Sequence, residues 1–287
     1  MTDATHDATT DAGAGAGPDA GAERTEAELV SDLAALGVRP GDTLMVQASL
    51  RGIGPVRGGS AAVAAALRRA LGPTGTLVAY AATPENSDTS RQFRAATAGL
   101  DPASVQRYRA SLPAFDPRST PCSPTVGRLS EEIRTLDGAL RSAHPQTSFT
   151  AVGPDAEEIT RDHRPECHLG EESPLGRLYK LGGSVLLAGL PDWLCTAYHL
   201  AEYQVDWRPL RRYGCAVRDA GGARRWLEFT GLDLDDRHFP RLGAAVRARV
   251  EFGRGLLGAA ECFRVPVVEA VDAARGWLSD PSNRALF

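Results

Sequence analysis

Blocks of apolar and polar positions alternate along the first part of the chain, and they predict helices and strands in turn. Thr25 and Glu28 have the spacing of a capping box, which predicts the start of a helix. Gly37 follows the last apolar position and predicts its end. A helix–strand–helix–strand succession is typical of a parallel or mixed sheet covered by helices, so the fold class is α/β. The predicted elements are the helix Thr25–Leu36, the strand Thr43–Gln47, the helix Ala61–Leu71 and the strand Thr76–Ala81.

The second part of the chain continues this pattern after a polar insertion near residues 82–120. The insertion is rich in Pro, Ser and Arg, and we expect an irregular segment that is either functional or mobile. No internal repeat and no linker divides the chain, so a single domain is expected over residues 23–287. The further predicted elements are helices near Val126–Leu136 and Ala156–Arg161, a strand Ser184–Gly189, a hairpin of Arg212–Arg218 with Arg224–Phe229, and helices at Pro240–Phe252 and Val268–Leu278.

Composition narrows the class of partner and the compartment. Residues 1–22 are mostly Ala, Gly, Thr and Asp, which predicts a disordered leader without a secretory signal. The net charge of −4 argues against nucleic acid as a partner, and no apolar run is long enough for a membrane span. The five cysteines are widely spread without a Cys-x-x-Cys pair, so neither disulfides nor a zinc ribbon is expected. A cytoplasmic protein without a metal is the resulting expectation.

The strongest candidate for chemistry follows the apolar run Val185–Gly189. This run predicts a buried strand, and Thr196 is a candidate N-cap for a helix after it. His199 and Glu202 are three residues apart, so they share one face of that helix. Open α/β sheets place their active sites beyond the carboxyl ends of their strands. The pattern therefore indicates a histidine and a carboxylate at a site of this kind.

His199 is a candidate general base because imidazole titrates near neutral pH. A carboxylate partner is needed to fix the tautomer of its imidazole. The candidates are Glu202 nearby and the more distant acidic run Asp233–Asp236. Cys195 precedes His199 by four residues, so a Cys–His nucleophile is an alternative. A satisfied buried histidine and a small buried cysteine are the simpler interpretations. A metal is not expected, since no third ligand accompanies His199 and Glu202.

A glycine-rich loop, residues 52–60, lies between the first predicted strand and the next predicted helix. Its backbone N–H groups, with Arg51 and Arg57, are suited to a phosphate or pyrophosphate. The spacing matches neither a dinucleotide-binding fingerprint nor a P-loop, so no nucleotide fold is specified. A simple turn without a ligand is an equally good interpretation.

Taken in order, many short segments resemble the antibiotic N-acetyltransferase family, which includes the aminoglycoside 3-N-acetyltransferases. The resemblance covers about residues 25–280, and it depends on the order of the motifs because none is decisive alone. The matching segments are Leu36–Asp42, Ala48–Leu50 with Gly58 and Gly59, Leu71–Val78, Phe115–Pro117 with Thr120 and Pro121, Arg141–Pro145, Gly170–Leu175, Val185–Gly189, Thr196 with His199–Glu202, and Gly255–Ala259.

The resemblance implies a single three-layer α/β/α-type domain with a central mixed sheet. It also implies acetyl transfer from acetyl-CoA to an amine, most often of an aminoglycoside, with His199 as the base. A carboxylate of the acidic segment, Asp233, would orient the imidazole, with Glu202 as the local alternative. A homodimer is left open. The residues implied for CoA are Ser49, Leu50, Arg51, Gly58, Gly59, Ser60 and Thr120.

The chain departs from the family pattern on the acceptor side. Gln47 and Ala48 replace the usual His-Ser, Cys195 replaces an asparagine, and Tyr80 replaces a proline. Tyr80 and Cys195 are therefore candidate substrate-binding residues, and Glu202 of the matching motif is a further candidate. The alternatives are a biosynthetic N-acyltransferase for another amine, a thioester hydrolase or acyl-enzyme transferase that uses Cys195 and His199, and a non-catalytic CoA-binding protein.

Overall fold

A computed structural model describes residues 23–286 of the protein. Seven strands form one mixed sheet in the order β3-β4-β2-β1-β5-β9-β8, and two more form a separate antiparallel hairpin, β6-β7. The central strands β2, β1 and β5 are parallel, and the outer strands are antiparallel. The strands are β1 Thr43–Ala48, β2 Thr76–Tyr80, β3 Leu140–Arg141, β4 Phe149–Val152, β5 Ser184–Ala188, β6 Leu210–Arg218, β7 Arg224–Leu232, β8 Gly253–Leu257 and β9 Ala260–Pro266.

The helices follow the strands in the alternation that the apolar pattern predicts. Thr25 caps α1, and both hydrogen bonds of its capping box with Glu28 are present. Short 3₁₀ turns lie at residues 84–86, 124–126 and 281–286. The α-helices are α1 Glu26–Ala35, α2 Leu50–Ile53, α3 Gly59–Leu71, α4 Arg91–Thr97, α5 Pro102–Ser111, α6 Arg128–Arg134, α7 Ala156–Thr160, α8 Pro174–Lys180, α9 Tyr198–Tyr203, α10 Phe239–Arg247 and α11 Val267–Ser279.

The sheet separates two apolar cores, which makes the fold a three-layer α/β/α sandwich as expected. Side chains alternate between the faces of a strand, so Leu44 and Val46 of β1 lie on one side and Met45 lies on the other. The first face packs against α1, α3 and α6, and the second packs against α7 through α11, apart from the hairpin. The predicted α/β class and mixed sheet are confirmed.

The polar insertion is more regular than its sequence predicts. Residues 82–120 contain the helices α4 and α5, so the expectation of an irregular segment is wrong there. Phe93 is the buried residue of α4, whereas α5 has none. Asn86 fastens the insertion to the hairpin, because its side chain bonds both the carbonyl and the N–H of Ala216 at 2.7 and 3.1 Å.

The predicted leader, residues 1–22, lies outside the described residues. Among the helices of residues 23–286, none combines the length and the apolar character that a membrane span requires.

Candidate active site

A cavity of about 380 Å³ lies where the parallel strands end. Gln47 and Ala48 of β1, Tyr80 of β2 and Leu190 after β5 line it. The N–H of Ser49, the N-cap of α2, bonds the carbonyl of Ala188 at 2.9 Å, so the start of α2 is joined to the end of β5. The cavity therefore occupies the edge of the sheet at which α/β proteins bind their ligands.

His199 lines this cavity from α9, and its imidazole is bonded to Glu202. Nδ1 of His199 lies 2.5 Å from Oε2 of Glu202, and the two side chains are 3% and 0% exposed. An ionised carboxylate only accepts hydrogen bonds, so Nδ1 carries the proton and Nε2 is the basic nitrogen. The i, i+3 spacing in the sequence thus becomes a buried histidine–carboxylate pair at a cavity.

The helix that carries the pair does not begin where the sequence predicts. Its N-cap is Ala197, without a side-chain cap, and the N–H of Thr196 bonds Oε1 of Gln47 at 3.0 Å. Thr196 as the N-cap is therefore wrong, because the helix begins at Tyr198 and its capping position falls on Ala197. The bond also orients the Gln47 amide, whose NH₂ group stays available as a donor to the cavity.

Two further buried side chains contact Glu202. Nη2 of Arg208 lies 2.8 Å from Oε1 of Glu202, and Nε2 of His238 lies 3.5 Å from the same oxygen. The side chains of Arg208 and His238 are 2% and 1% exposed. Burial lowers the pKa of His238 to about 3, so this ring is neutral near pH 7. The carboxylate is therefore paired with one arginine and two imidazoles.

Asp233 does not occupy the place expected for it. Its carboxylate pairs with Arg211 at 3.4 Å, and Nδ1 of His199 is bonded to Glu202 instead. Asp233 reaches the pair only through its main chain, because its carbonyl accepts a hydrogen bond from Arg208 at 3.1 Å. The orienting position is taken by Glu202, since the helix already supplies a carboxylate three residues from His199.

Cys195 also lines the cavity, but its thiol is fully buried. Burial raises the pKa of the thiol to about 12, which disfavours the thiolate that a nucleophile requires. The helix starts at Tyr198, so Cys195 lies before it and does not share its face with His199. This geometry favours the simpler interpretation, in which Cys195 is a small buried residue that lines the cavity.

The residues implied for CoA divide into two groups. Ser49, Leu50 and Arg51 line the cavity, and Ser49 is the N-cap of α2. The lining does not include the other four, so their contact with CoA stays a prediction. These four are Gly58 and Gly59 at the start of α3, Ser60, whose hydroxyl bonds Glu132, and Thr120, whose hydroxyl accepts a bond from the N–H of Asp116.

Charged residues also line the cavity. Its cationic lining residues are Arg51, which the resemblance implies for CoA, and Arg128, which the sequence did not suggest. Its carboxylate is Asp236, a member of the acidic run that was expected to supply the partner of the imidazole. Arg208 and His238 carry no sequence signal at all, because their contacts arise from the return of the chain after α9. Within residues 23–286, no three His, Cys, Asp or Glu side chains come together as metal ligands.

A buried histidine–carboxylate pair at a cavity beyond parallel strands defines an α/β enzyme suited to general base catalysis. The family model of aminoglycoside 3-N-acetyltransferase matches residues 45–279. The chain therefore belongs to the aminoglycoside 3-N-acetyltransferase family and is an acyltransferase. The resemblance drawn from the short motifs is confirmed.

Two curated relatives have similar lengths. The chain is 34% identical over 266 residues to an aminoglycoside N(3')-acetyltransferase-like protein of Bacillus subtilis, YokD, covering 92% of this chain and 95% of the relative. It is 42% identical over 253 residues to an aminoglycoside N(3)-acetyltransferase III of Salmonella sp., covering 83% and 86%.

Solved structures agree with this assignment. The crystal structure of YokD superposes with a TM-score of 0.85 at 32% identity, covering 92% of this chain and 96% of that one. AAC-IIIb in a binary complex with CoASH has a TM-score of 0.78 at 31% identity, covering 90% and 97%. AAC-VIa bound to sisomicin has a TM-score of 0.78 at 30% identity, covering 90% and 98%.

Proposed function

We propose that the protein transfers the acetyl group of acetyl-CoA to an amine of an aminoglycoside, with His199 as the general base and residues 23–287 as the acyltransferase domain. The observation that carries the proposal is the imidazole of His199, which lines the cavity and is fixed through Nδ1 by buried Glu202. Relatives named aminoglycoside N(3)-acetyltransferases, and neighbours solved with CoASH and with sisomicin, support this choice of donor and acceptor.

His199 acts through Nε2, because Glu202 occupies Nδ1. Nε2 accepts a proton from the acceptor amine while the amine nitrogen forms its bond to the thioester carbonyl carbon. The carbon–sulfur bond then breaks, and the imidazolium returns the proton to the departing sulfur as CoA thiol. General base catalysis of this kind contributes about 10²- to 10⁴-fold to the rate.

The oxygen of the thioester becomes negatively charged in the tetrahedral intermediate and requires hydrogen-bond donors. The amide NH₂ of Gln47 is a candidate donor, because Oε1 of that amide already accepts the N–H of Thr196 at 3.0 Å. Gln47 lines the cavity together with His199, so base and donor face the same space.

The cavity carries charged groups suited to each substrate. Arg51 and Arg128 are exposed lining residues that suit the phosphates of CoA, and Ser49 and Leu50 also line the cavity. Asp236 is the lining carboxylate and suits the cationic acceptor, and Tyr80 lines the same cavity. The lining thus offers charges opposite to those of donor and acceptor.

The test is the release of CoA thiol from acetyl-CoA in the presence of aminoglycosides, of simple monoamines and of no amine. We expect release only with aminoglycosides and a single acetyl group on N3 of the product, identified by mass and NMR. Release with monoamines alone would assign a biosynthetic type of acceptor, and release without any amine would indicate a hydrolase. Either result overturns the proposal, as does an inert protein that binds CoA.

A further inference from the structure

Glu202 is a carboxylate without exposure to solvent, and such a charge is stable only when it is compensated. Three groups contact it, namely Nδ1 of His199, Nη2 of Arg208 and Nε2 of His238. His238 does not compensate the charge, because burial holds its pKa at about 3. Among residues 23–286, Arg208 is therefore the permanent cation in contact with Glu202.

Arg208 is held in place from two other sides. Its Nη2 donates to the carbonyl of Asp233 at 3.1 Å, and its guanidinium lies 5.5 Å from the ring centre of Trp207. The contact with Asp233 uses the main chain, so it does not depend on the carboxylate of that residue. The same Nη2 lies 2.8 Å from Oε1 of Glu202, whereas His199 contacts the other carboxylate oxygen, Oε2.

The other titratable groups around His199 are few. The segment before α10 supplies His238 and Asp236, with Asp235 paired to Arg237, and the loop before α9 supplies the thiol of Cys195. Strand β1 supplies the neutral Gln47, and Arg51 and Arg128 are the cationic lining residues of the cavity. Helix α11 packs on α9, but its Asp272 is bonded to Tyr179 at 3.0 Å. Arg208 is the cation of this set that contacts Glu202.

We propose that Arg208 is a positioning residue that neutralises Glu202, so that the Glu202 carboxylate holds Nδ1–H of His199 and leaves Nε2 available as the base. The inference depends on the proposed role of His199. Without Arg208, the uncompensated carboxylate retains a proton on the pair, either on the imidazole or on the carboxyl group. With the proton in either place, Nε2 of His199 cannot accept a proton from the amine until the pH is raised.

The test is the pH profile of kcat/KM for Arg208→Met and Arg208→Lys. An opposite charge at this range shifts a titration by about one to three pH units. We therefore expect Arg208→Met to move the acidic limb upward by about one unit or more, so that the activity lost at pH 7 returns in alkali. Arg208→Lys keeps the cation, so its limb should stay near that of the wild type.

Arg211→Met is the matched control, because Arg211 pairs with Asp233 and not with Glu202. Its acidic limb should stay unchanged. If Arg208→Met does not fold, Arg208→Met is combined with Glu202→Gln. This double variant contains no uncompensated carboxylate. In that background, removal of the cation should leave the acidic limb near that of Glu202→Gln alone, because Arg208 acts through the charge of Glu202. An upward shift of about one unit or more there would contradict the inference.

Imidazole ¹⁵N spectra of the resting protein separate this inference from the proposed function. The titration midpoint of His199 should rise in Arg208→Met without any substrate present, even if no acceptor is turned over. An unchanged midpoint in Arg208→Met, or an equal upward shift in Arg208→Lys, would overturn the role of the Arg208 charge.

Discussion

Two groups of buried histidines lie within residues 23–286, and their surroundings differ. His199 and His238 lie beside the cavity and contact Glu202. His144, His163 and His168 form a second group, in which the ring centre of His144 lies 4.8 Å from that of His163 and 4.5 Å from that of His168. The three rings of this second group line no part of the cavity.

The second group is bonded to main-chain carbonyls and neutral side chains. Nε2 of His163 lies 2.9 Å from the carbonyl of His168, and Nε2 of His168 lies 2.9 Å from the amide oxygen of Gln146. Burial lowers the pKa of His163 to about 4 and that of His168 to about 3. Burial alone therefore yields neutral structural rings, and a base requires a carboxylate partner and an opening to the substrate as well.

Replacement of the base should produce the largest effect. We expect His199→Asn to reduce kcat by about 10²- to 10⁴-fold, because the proton acceptor is lost. The matched variant in the other group is His163→Asn, which should cost about 1–3 kcal/mol of unfolding free energy but leave the turnover of folded enzyme near that of the wild type. The measurements are steady-state kinetics and urea unfolding.

Binding of CoA to His199→Asn, measured by calorimetry, serves as the control for its fold. Near-normal turnover in His199→Asn, or a loss of turnover in folded His163→Asn as large as that in His199→Asn, would erase the distinction between the two groups.

The carboxylate partner should produce the next largest effect. Glu202→Gln keeps the shape of the side chain but removes the charge that fixes the Nδ1–H tautomer, so we expect kcat to fall by about 10- to 10²-fold. Asp233→Asn is the matched control and should stay within about twofold, because its carboxylate pairs with Arg211. A larger loss in Asp233→Asn than in Glu202→Gln would return the orienting role to Asp233.

The structural group should make the protein sensitive to acid. The folded-state pKa values of His163 and His168 lie below the ordinary value of 6.5, so the unfolded chain binds more protons between about pH 6.5 and pH 3. Their contribution to stability is therefore complete above pH 6.5 and is lost as the pH falls through this window. Each ring lowers the unfolding free energy by at most about 1.4 kcal/mol per pH unit.

Urea unfolding at pH 7 and pH 5 measures this dependence. The difference in unfolding free energy between the two pH values should be smaller in His163→Asn than in the wild type. An equal difference in both proteins would show that His163 does not take up a proton on unfolding in this range.

The smallest effect is expected at Cys195. The thiol is buried and its pKa is raised to about 12, so Cys195→Ser should keep turnover within about threefold of the wild type. Intact mass after incubation with acetyl-CoA and no amine should show no adduct. An acetyl group on Cys195, together with inactive Cys195→Ser, would assign a Cys–His mechanism instead.

The sequence predicts the centre of the fold better than its margins. Strands β1, β2 and β5 are continuous apolar runs because helices cover both of their faces, and such runs stand out. Strands β8 and β9 were not predicted, since Gly253 and Gly255 interrupt the apolar pattern of β8, and Glu261 and Arg264 interrupt that of β9. Helix α5 was not predicted either, because none of its residues is buried and no apolar stripe marks it.

The candidate site was likewise predicted only in part. The pairing of His199 with Glu202 is local to one helix, so a spacing of three residues was enough to suggest it. Whether Glu202 or Asp233 orients His199 depended on tertiary contacts that the sequence does not show. One of them is the ion pair between Asp233 and Arg211, at 3.4 Å. The contacts of Arg208 and His238 join residues from separate segments behind Glu202, and no spacing in the sequence encodes them.

A crystal structure of the protein with CoASH and an aminoglycoside would test the role of His199 most directly. The geometry predicts that Nε2 of His199 lies within about 2.6–3.2 Å of the acceptor amine nitrogen, or one water molecule away, while Nδ1 stays bonded to Glu202. An acceptor amine bound to another side chain, with His199 out of reach of both amine and water, would contradict the mechanism.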